Sequence, residues 1–270
     1  MHNLLITGNS GFIGSYLYDY FKDSYNSQGI SKSVGVDISL LDDLENLSFS
    51  PDIIIHAAAS LNNDLNSSFI ANVVGTFNIC KFAKKRKVKH LILISSISAF
   101  NHPENEYYNN YGLTKKHAEE IAEAYCKENN INLTILRFSQ VYDSARKAKK
   151  SQKMIYGFVD IIKSQKEINI YGKKNPIRNY LYIDDVLKVI DDVIEKKLFG
   201  IFNVINDKSY TLEDIANIIF KLYNLKPRIK YLKDKEDIHS IYVPLENIYK
   251  FENKCISLSD GIKGIIEYGA

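Results

Sequence analysis

The stretch "LLITGNSGFIGSYL" (4–17) constrains this chain more than any other. An apolar, strand-like run ends at Thr7. Gly8, Gly11 and Gly14 follow at equal spacing, and apolar residues then recur at helical intervals. A first glycine lets a chain turn sharply after a strand. A second removes the side chain where backbone must lie against a pyrophosphate, and a third lets the helix close on the sheet. The helix N-terminus then offers free N–H groups and partial positive charge to the phosphates. The spacing is G-x-x-G-x-x-G rather than G-x-G-x-x-G, and its position between strand and helix gives it meaning. A turn that merely needs flexible residues is the bland alternative. The context favours a dinucleotide, with Gly8, Ser10, Gly11, Phe12, Ile13 and Gly14 as candidate contacts.

The following chain alternates short apolar runs with amphipathic stretches. Strands are expected at 3–7, 27–31, 34–37, 53–57, 91–95 and 133–137, and helices at 12–23, 67–86 and 111–129. The strand candidates are rich in Ile, Leu and Val without clean alternation, which suits strands buried on both faces. This order predicts an α/β fold, a Rossmann-type doubly wound parallel sheet with a smaller C-terminal α/β substrate-binding region. The expected division is 1–140 for the dinucleotide-binding domain and 141–270 for the second region, with segments of the latter returning to the sheet. The link between the second and third strands is very short, whereas a parallel crossover normally needs a dozen residues or more, so this edge is where the simple alternating picture is expected to break down. Beyond it, "DSARKAKKSQK" (143–153) reads as a solvated basic connection. Thr211 is positioned to cap a helix with Leu212, Ile215, Ile219 and Leu222 on its apolar face.

With Lys+Arg 35 against Asp+Glu 32, the charge is too balanced to argue for nucleic acid. The three cysteines (Cys80, Cys126, Cys255) are widely separated and show no metal spacing, so neither a disulfide framework nor a metal site is expected. No apolar run approaches the ~20 residues that span a bilayer, so no membrane insertion is expected. The first residues lack the basic region of a signal peptide. A cytoplasmic setting is the expectation.

The ribose end of a bound dinucleotide falls near "GISKSVGVDI" (29–38). Asp37 could accept both ribose hydroxyls, which would suit NAD(H). The second strand ends more naturally at "GISK", however. That sets Ser31 and Lys32 at the ribose, where a hydroxyl and a cation suit a 2′-phosphate. Asp37 and Ile38 then end the third strand beside the adenine. NADP(H) is favoured on this basis and NAD(H) is kept as the alternative. An exposed turn lysine is the bland account of Lys32.

"YGLTK" places Tyr111 and Lys115 four apart, on one face if a helix starts there. An ordinary tyrosine titrates near ~10, too high for proton transfer at neutral pH. A nearby ammonium lowers that value and can also hold a nicotinamide ribose. Upstream, "LILISSIS" (91–98) carries Ser96 to the C-terminal end of a strand, where ligands bind in this architecture. Ser96 could donate to a carbonyl or alkoxide oxygen, or simply bond to local backbone.

These motifs, in this order, resemble the extended short-chain dehydrogenase/reductase family, the NAD-dependent epimerase/dehydratase group that modifies nucleotide sugars. "TGNSGFIG" resembles its glycine loop and "DISLLDDL" (37–44) its third strand and turn. "PDIIIHAAA" (51–59) resembles its fourth strand, in which Ala57, Ala58 and Ala59 let backbone approach the cofactor. "NVVGTFNIC" (72–80) is similar to the family's N-x-x-G-T-x-N helix, with Asn72 supporting the site. "SS" with "YGLTK" resembles the catalytic Ser, Tyr and Lys. "LRFSQVY" (136–142) and "IRNYLYIDDV" (177–186) resemble two later stretches, the second bringing Arg178 to the nucleotide diphosphate. The resemblance implies hydride exchange between nicotinamide and a sugar carbon, with proton transfer by Tyr111. Ser96 would polarise the oxygen, and Lys115 would keep Tyr111 acidic. It also implies a homodimer through the helices near 67–86 and 111–129.

The departures narrow the reaction. Ile97 and Ser98 stand where the dehydratases carry acids. Gln140 stands where many members have a substrate-binding Asn, and Asp143 where they have Gly. His239 reads as a surface residue. The expected activity is reduction of a nucleotide-linked 4-keto-6-deoxyhexose, for polysaccharide biosynthesis, with Tyr111 as proton donor. A C4 epimerase with tightly bound NAD is the alternative. A non-catalytic dinucleotide sensor would be expected to lack the tyrosine or the lysine, and both are present.

Overall fold

Three parallel strands carry the first part of the chain: β1 (Asn3–Thr7), β2 (Asn26–Ile30) and β3 (Ile53–His56), with helix α1 (Phe12–Phe21) after the first. This computed structural model describes residues 2–62 and 64–269. The run expected as a strand at 34–37 is not one. Lys32–Val34 form a 3₁₀ turn, Gly35 closes it in the left-handed region at φ +83°, and a short helix α2 (Leu41–Glu45) follows. The next strand to join the sheet is β3. A parallel partner needs a crossover long enough to return to the same edge, and the few residues between β2 and Val34 cannot supply it.

The helix expected at 67–86 is also interrupted. It comprises α3 (Leu65–Ser68), a π-helical turn at Phe69–Val74 and α4 (Gly75–Arg86). The wide turn carries Asn72 inward to 2% exposure, and such turns recur at functional sites. β4 (His90–Ser96), α5 (Asn110–Glu128) and β5 (Asn132–Phe138) follow.

The chain continues through β6 (Gln140–Tyr142), α6 (Lys153–Lys163), β7 (Ile168–Tyr171), β8 (Ile177–Arg178), β9 (Tyr180–Tyr182) and α7 (Ile183–Glu195). It ends with β10 (Gly200–Val204), β11 (Tyr210–Thr211), α8 (Leu212–Leu222), β12 (Ile229–Leu232) and α9 (Leu258–Tyr268).

Two compact units result, one of residues 1–138, 187–204 and 244–249, the other of 139–186, 205–243 and 250–270. The first holds a six-stranded parallel sheet in the order β10-β5-β4-β3-β1-β2. The reversal between the β1 and β4 sides is the arrangement whose strand ends bind ligands. Leu5, Ile54, Leu91 and Ile135 are fully buried in its core with Ile79 and Phe82 of α4. In the second unit β6 pairs with β9, β8 with β11 and β7 with β12, while α6, α8 and α9 pack together. Thr211 closes a capping box on α8: its Oγ1 accepts from Asp214 N at 3.1 Å and Asp214 Oδ2 accepts from Thr211 N at 3.0 Å.

Candidate active site

At the end of β1 the backbone turns at Gly8, with φ +73°, a conformation that costs glycine little. A Cβ there would lie 2.7 Å from Ala58 backbone atoms, and one on Gly14 would lie 2.1 Å from the Gly8 carbonyl oxygen. The outer two glycines are therefore required by the chain's packing on itself. Gly11 is the N-cap of α1; it supplies no side-chain cap, and no acid occupies the first turn. The first N–H groups and the positive end of the helix are thus left for an anionic group. This donor set fits a dinucleotide pyrophosphate.

Beside this turn lies a cleft of about 410 Å³. Gly8, Ser10 and Gly11 form one wall, Ser31, Lys32, Asp37 and Ile38 another, and Ala57, Ala58 and Ala59 a third. Phe12, Ile13 and Gly14 do not line it: Gly14 is buried beneath the turn. Val36, Ser60, Asn62, Ser67 and Ala71 also line it, and no motif in the sequence singles them out.

At the second wall of the cleft, β2 stops at Ile30 and Ser31 is 7% exposed. Lys32 Nζ lies 2.8 Å from Asp37 Oδ2. Asp37 Oδ1 accepts from Ser39 N at 3.0 Å and from Ser39 Oγ at 2.8 Å. Burial pushes the Asp37 carboxyl up, but Lys32 and Ser39 together hold it below the usual carboxylate value. Asp37 is thus a paired carboxylate in a loop and not the end of a strand.

The second cluster forms where β4 and α5 meet. Asn109 caps α5, its Oδ1 accepting from Tyr111 N at 3.0 Å and Gly112 N at 3.3 Å. Tyr111 therefore stands in the first helical turn. Gly112 makes the approach possible, since a Cβ there would lie 2.3 Å from the Ser98 carbonyl oxygen. Ser96 Oγ accepts from Ser98 N at 3.1 Å, as the bland account of a strand-end serine supposes. The Ser96 hydroxyl also acts on the Tyr111 phenol, which it lowers.

Burial pushes the Tyr111 phenol up to about 12; the Ser96 hydrogen bond works against this and the Glu119 charge adds to it. Lys115 is 3% exposed and donates from Nζ to the Ile94 carbonyl at 2.6 Å. Burial lowers it to about 8, opposed by Glu119. Lys115 thus directs its ammonium at the β4 backbone, and the phenol stays protonated at neutral pH.

Glu119, one turn beyond Lys115, is fully buried. It accepts from Arg137 Nη2 at 2.6 Å and from Ser95 Oγ at 2.5 Å, joining α5 to β5 and β4. Asn72 does not line the cleft either. Its Oδ1 accepts from Ser60 N at 2.7 Å and its Nδ2 donates to Thr114 Oγ1 at 3.0 Å. Gln140 and Arg178 belong to the second unit. Gln140 Nε2 donates to Gln152 Oε1 at 3.3 Å. Arg178, 2% exposed, donates from Nη1 to the Ile177 and His239 carbonyls, each at 2.7 Å. No group of acidic, His or Cys side chains suited to a metal occurs among the described residues.

A model of the NAD dependent epimerase/dehydratase family matches residues 4–204. A putative UDP-glucose 4-epimerase of Methanocaldococcus jannaschii is 28% identical over 300 residues, covering 98% of this chain and 97% of the relative. Among solved structures, UDP-glucose 4-epimerase from Thermotoga maritima with UDP-glucose has a TM-score of 0.81 at 21% identity, covering 99% of this chain and 98% of that one. The dTDP-4-dehydrorhamnose reductase of Bacillus anthracis in complex with NADP has a TM-score of 0.76 at 22% identity, covering 98% of both. At these identities the structural likeness establishes the Rossmann-type fold.

Proposed function

The chain belongs to the NAD dependent epimerase/dehydratase family, and from that premise we propose that it is an NADPH-dependent reductase of a nucleotide-linked 4-keto-6-deoxyhexose. The reading rests on one placement: Tyr111 stands in the first turn of α5, one turn before Lys115, on a helix packed against the β4 end that carries Ser96, where a protonated phenol can give a proton to an oxygen becoming an alkoxide. Ser96 donates to the same oxygen and polarises the carbonyl. Lys115 steadies the ribose and supplies the positive charge that eases proton loss from Tyr111. The bound dinucleotide supplies hydride exchange with the sugar carbon.

Cofactor preference is inferred from the ribose end. Ser31 and Lys32 follow β2 directly, and the Asp37 carboxylate is already paired with Lys32 at 2.8 Å. A hydroxyl and a cation suit a 2′-phosphate, while the pairing reduces the repulsion that Asp37 would exert on it. Gln140 and Arg178 are proposed as substrate contacts. A homodimer is proposed through the face bearing Phe69, Ile70 and Phe77, all exposed large apolar side chains.

The names of the relatives favour a second reading, a C4 epimerase that oxidises and re-reduces one carbon with retained NAD. Incubation with a panel of UDP- and dTDP-linked 4-keto-6-deoxyhexoses separates the two. Stoichiometric loss of NADPH absorbance with formation of the alcohol supports the reductase. Co-purified NAD+ with interconversion of UDP-hexoses, and no requirement for added cofactor, would replace it with the epimerase.

A further inference from the structure

A chain of hydrogen bonds that no step above uses runs beneath the cleft. Ala58 N donates to Thr7 Oγ1 at 3.1 Å, and Thr7 Oγ1 lies 2.7 Å from His56 Nδ1. His56 Nε2 lies 3.0 Å from Thr76 Oγ1, which donates to the Asn72 carbonyl at 2.6 Å. From Asn72, Nδ2 donates to Thr114 Oγ1, and Thr114 Oγ1 donates to the Tyr111 carbonyl, each at 3.0 Å. Thr7 and Thr76 are at most 1% exposed and His56 is 1% exposed.

The proton positions follow from counting donors. Thr76 has one hydroxyl hydrogen, and the Asn72 carbonyl takes it. Toward His56, Thr76 can then only accept, so Nε2 carries the ring proton. In a neutral imidazole Nδ1 is then the acceptor, and Thr7 must donate to it. Thr7 in turn accepts from Ala58 N. Every member is satisfied in one direction, and the opposite tautomer would leave two acceptors facing each other at Nε2 unless the Thr76 hydroxyl left the Asn72 carbonyl. A buried, fully satisfied network is rigid and fixes one arrangement.

We propose that His56 is a positioning residue, a single-tautomer imidazole that ties the Ala58 wall of the cofactor cleft to the π-helical turn and, through Asn72 and Thr114, to the helical turn bearing Tyr111. Thr76 makes the i−4 back-bond that any helix allows, while the Asn72 amide of the π-helical turn reaches Thr114. Burial, with the Lys115 charge adding to it, holds the imidazole neutral by lowering it to about 3. The effect on turnover rests on the reductase reading above, whereas the tautomer does not.

The test begins with ¹⁵N-histidine-labelled protein. The His56 ring should show the neutral Nε2–H tautomer throughout the range in which an ordinary histidine titrates. An Nδ1–H signal, or a titrating ring, overturns the proposal. Thr76→Val, which removes both bonds of Thr76, should leave NADPH affinity within ~3-fold and lower kcat at least ~10-fold on the keto-sugar substrate. Thr76→Ser, which keeps the hydroxyl, should restore kcat to within ~3-fold of the parent. Unchanged kcat in Thr76→Val, or equal losses in the two variants, overturns it as well. If the parent reduces none of the sugars, the reductase reading fails, and the ring spectrum, which needs no substrate, still decides the relay.

Discussion

Tyr111→Phe removes one oxygen and leaves the ring, the Asn109 cap and the first turn of α5 in place. NADPH should bind within ~2-fold of the parent while turnover falls by ~10²–10⁴, the usual contribution of a positioned proton donor. Fluorescence titration and steady-state kinetics measure the two separately. Lys32→Ala tests the other end of the cleft. It removes a cation whose Nζ lies 2.8 Å from Asp37 and leaves that carboxylate without its charge partner. NADPH affinity should fall ~10-fold or more, equivalent to ~1.4 kcal/mol, while NADH affinity changes little. Equal losses for both would count against 2′-phosphate recognition. At this scale the sequence could place Gly8 at a strand-to-helix turn and Tyr111 and Lys115 one turn apart on a helix, as the structure has them. It was silent on Glu119 and Arg137, because nothing in their spacing shows that a helix and a strand will bury them against each other.

Among the elements, α5 carries the most consequence, and its placement depends on a residue with no side chain. Gly112→Ala adds a Cβ that would lie 2.3 Å from the Ser98 carbonyl oxygen and 3.0 Å from that of Tyr107. Both obstacles are backbone and cannot rotate aside. The substitution should cost ~1–3 kcal/mol by overpacking and lower turnover by moving Tyr111 away from Ser96. Denaturant unfolding together with kinetics checks it, and a variant of parental stability and rate would refute the close-approach argument. The π-helical turn was not legible. The residues of 67–86 have ordinary helical periodicity, and the wide turn is selected by where Asn72 finds partners in Ser60 and Thr114. The strand expected at 34–37 failed for a complementary reason. Val34 and Val36 have strand character, but a parallel strand also needs a crossover long enough to return to the free edge of β2, and the residues after Ile30 are too few to supply one.

The molecule as a whole should lose stability in mild acid. Burial lowers His56 to about 3 and His90 to about 4, from an ordinary 6.5. The folded values lie below the unfolded one, so the unfolded chain takes up protons first as the pH drops. Their contribution is complete above pH 6.5 and is lost progressively as pH falls toward the folded values. Each adds up to ~1.4 kcal/mol per pH unit inside that window. Urea titrations at successive pH values should show the decline, and His90→Gln should reduce its slope by about half. A stability that stays flat between pH 6.5 and 5 would contradict the buried, neutral state of these rings.

The order of apolar runs and glycines determined the parallel α/β core, because strand burial and helix periodicity are set by residues near one another in the chain. The same local chemistry marked the glycine turn after β1, the cap of α8 and the Tyr111–Lys115 pair. Tertiary structure alone decided which strand follows β2 in the sheet and that Asp37 is paired with Lys32. It also decided that Lys115 bonds to Ile94, and that His56 connects Thr7 to Thr76. These outcomes depend on groups brought together across 20 or more residues in several cases. Their partners are selected by packing and by the requirement that buried polar atoms be satisfied, neither of which a local pattern of residues can express.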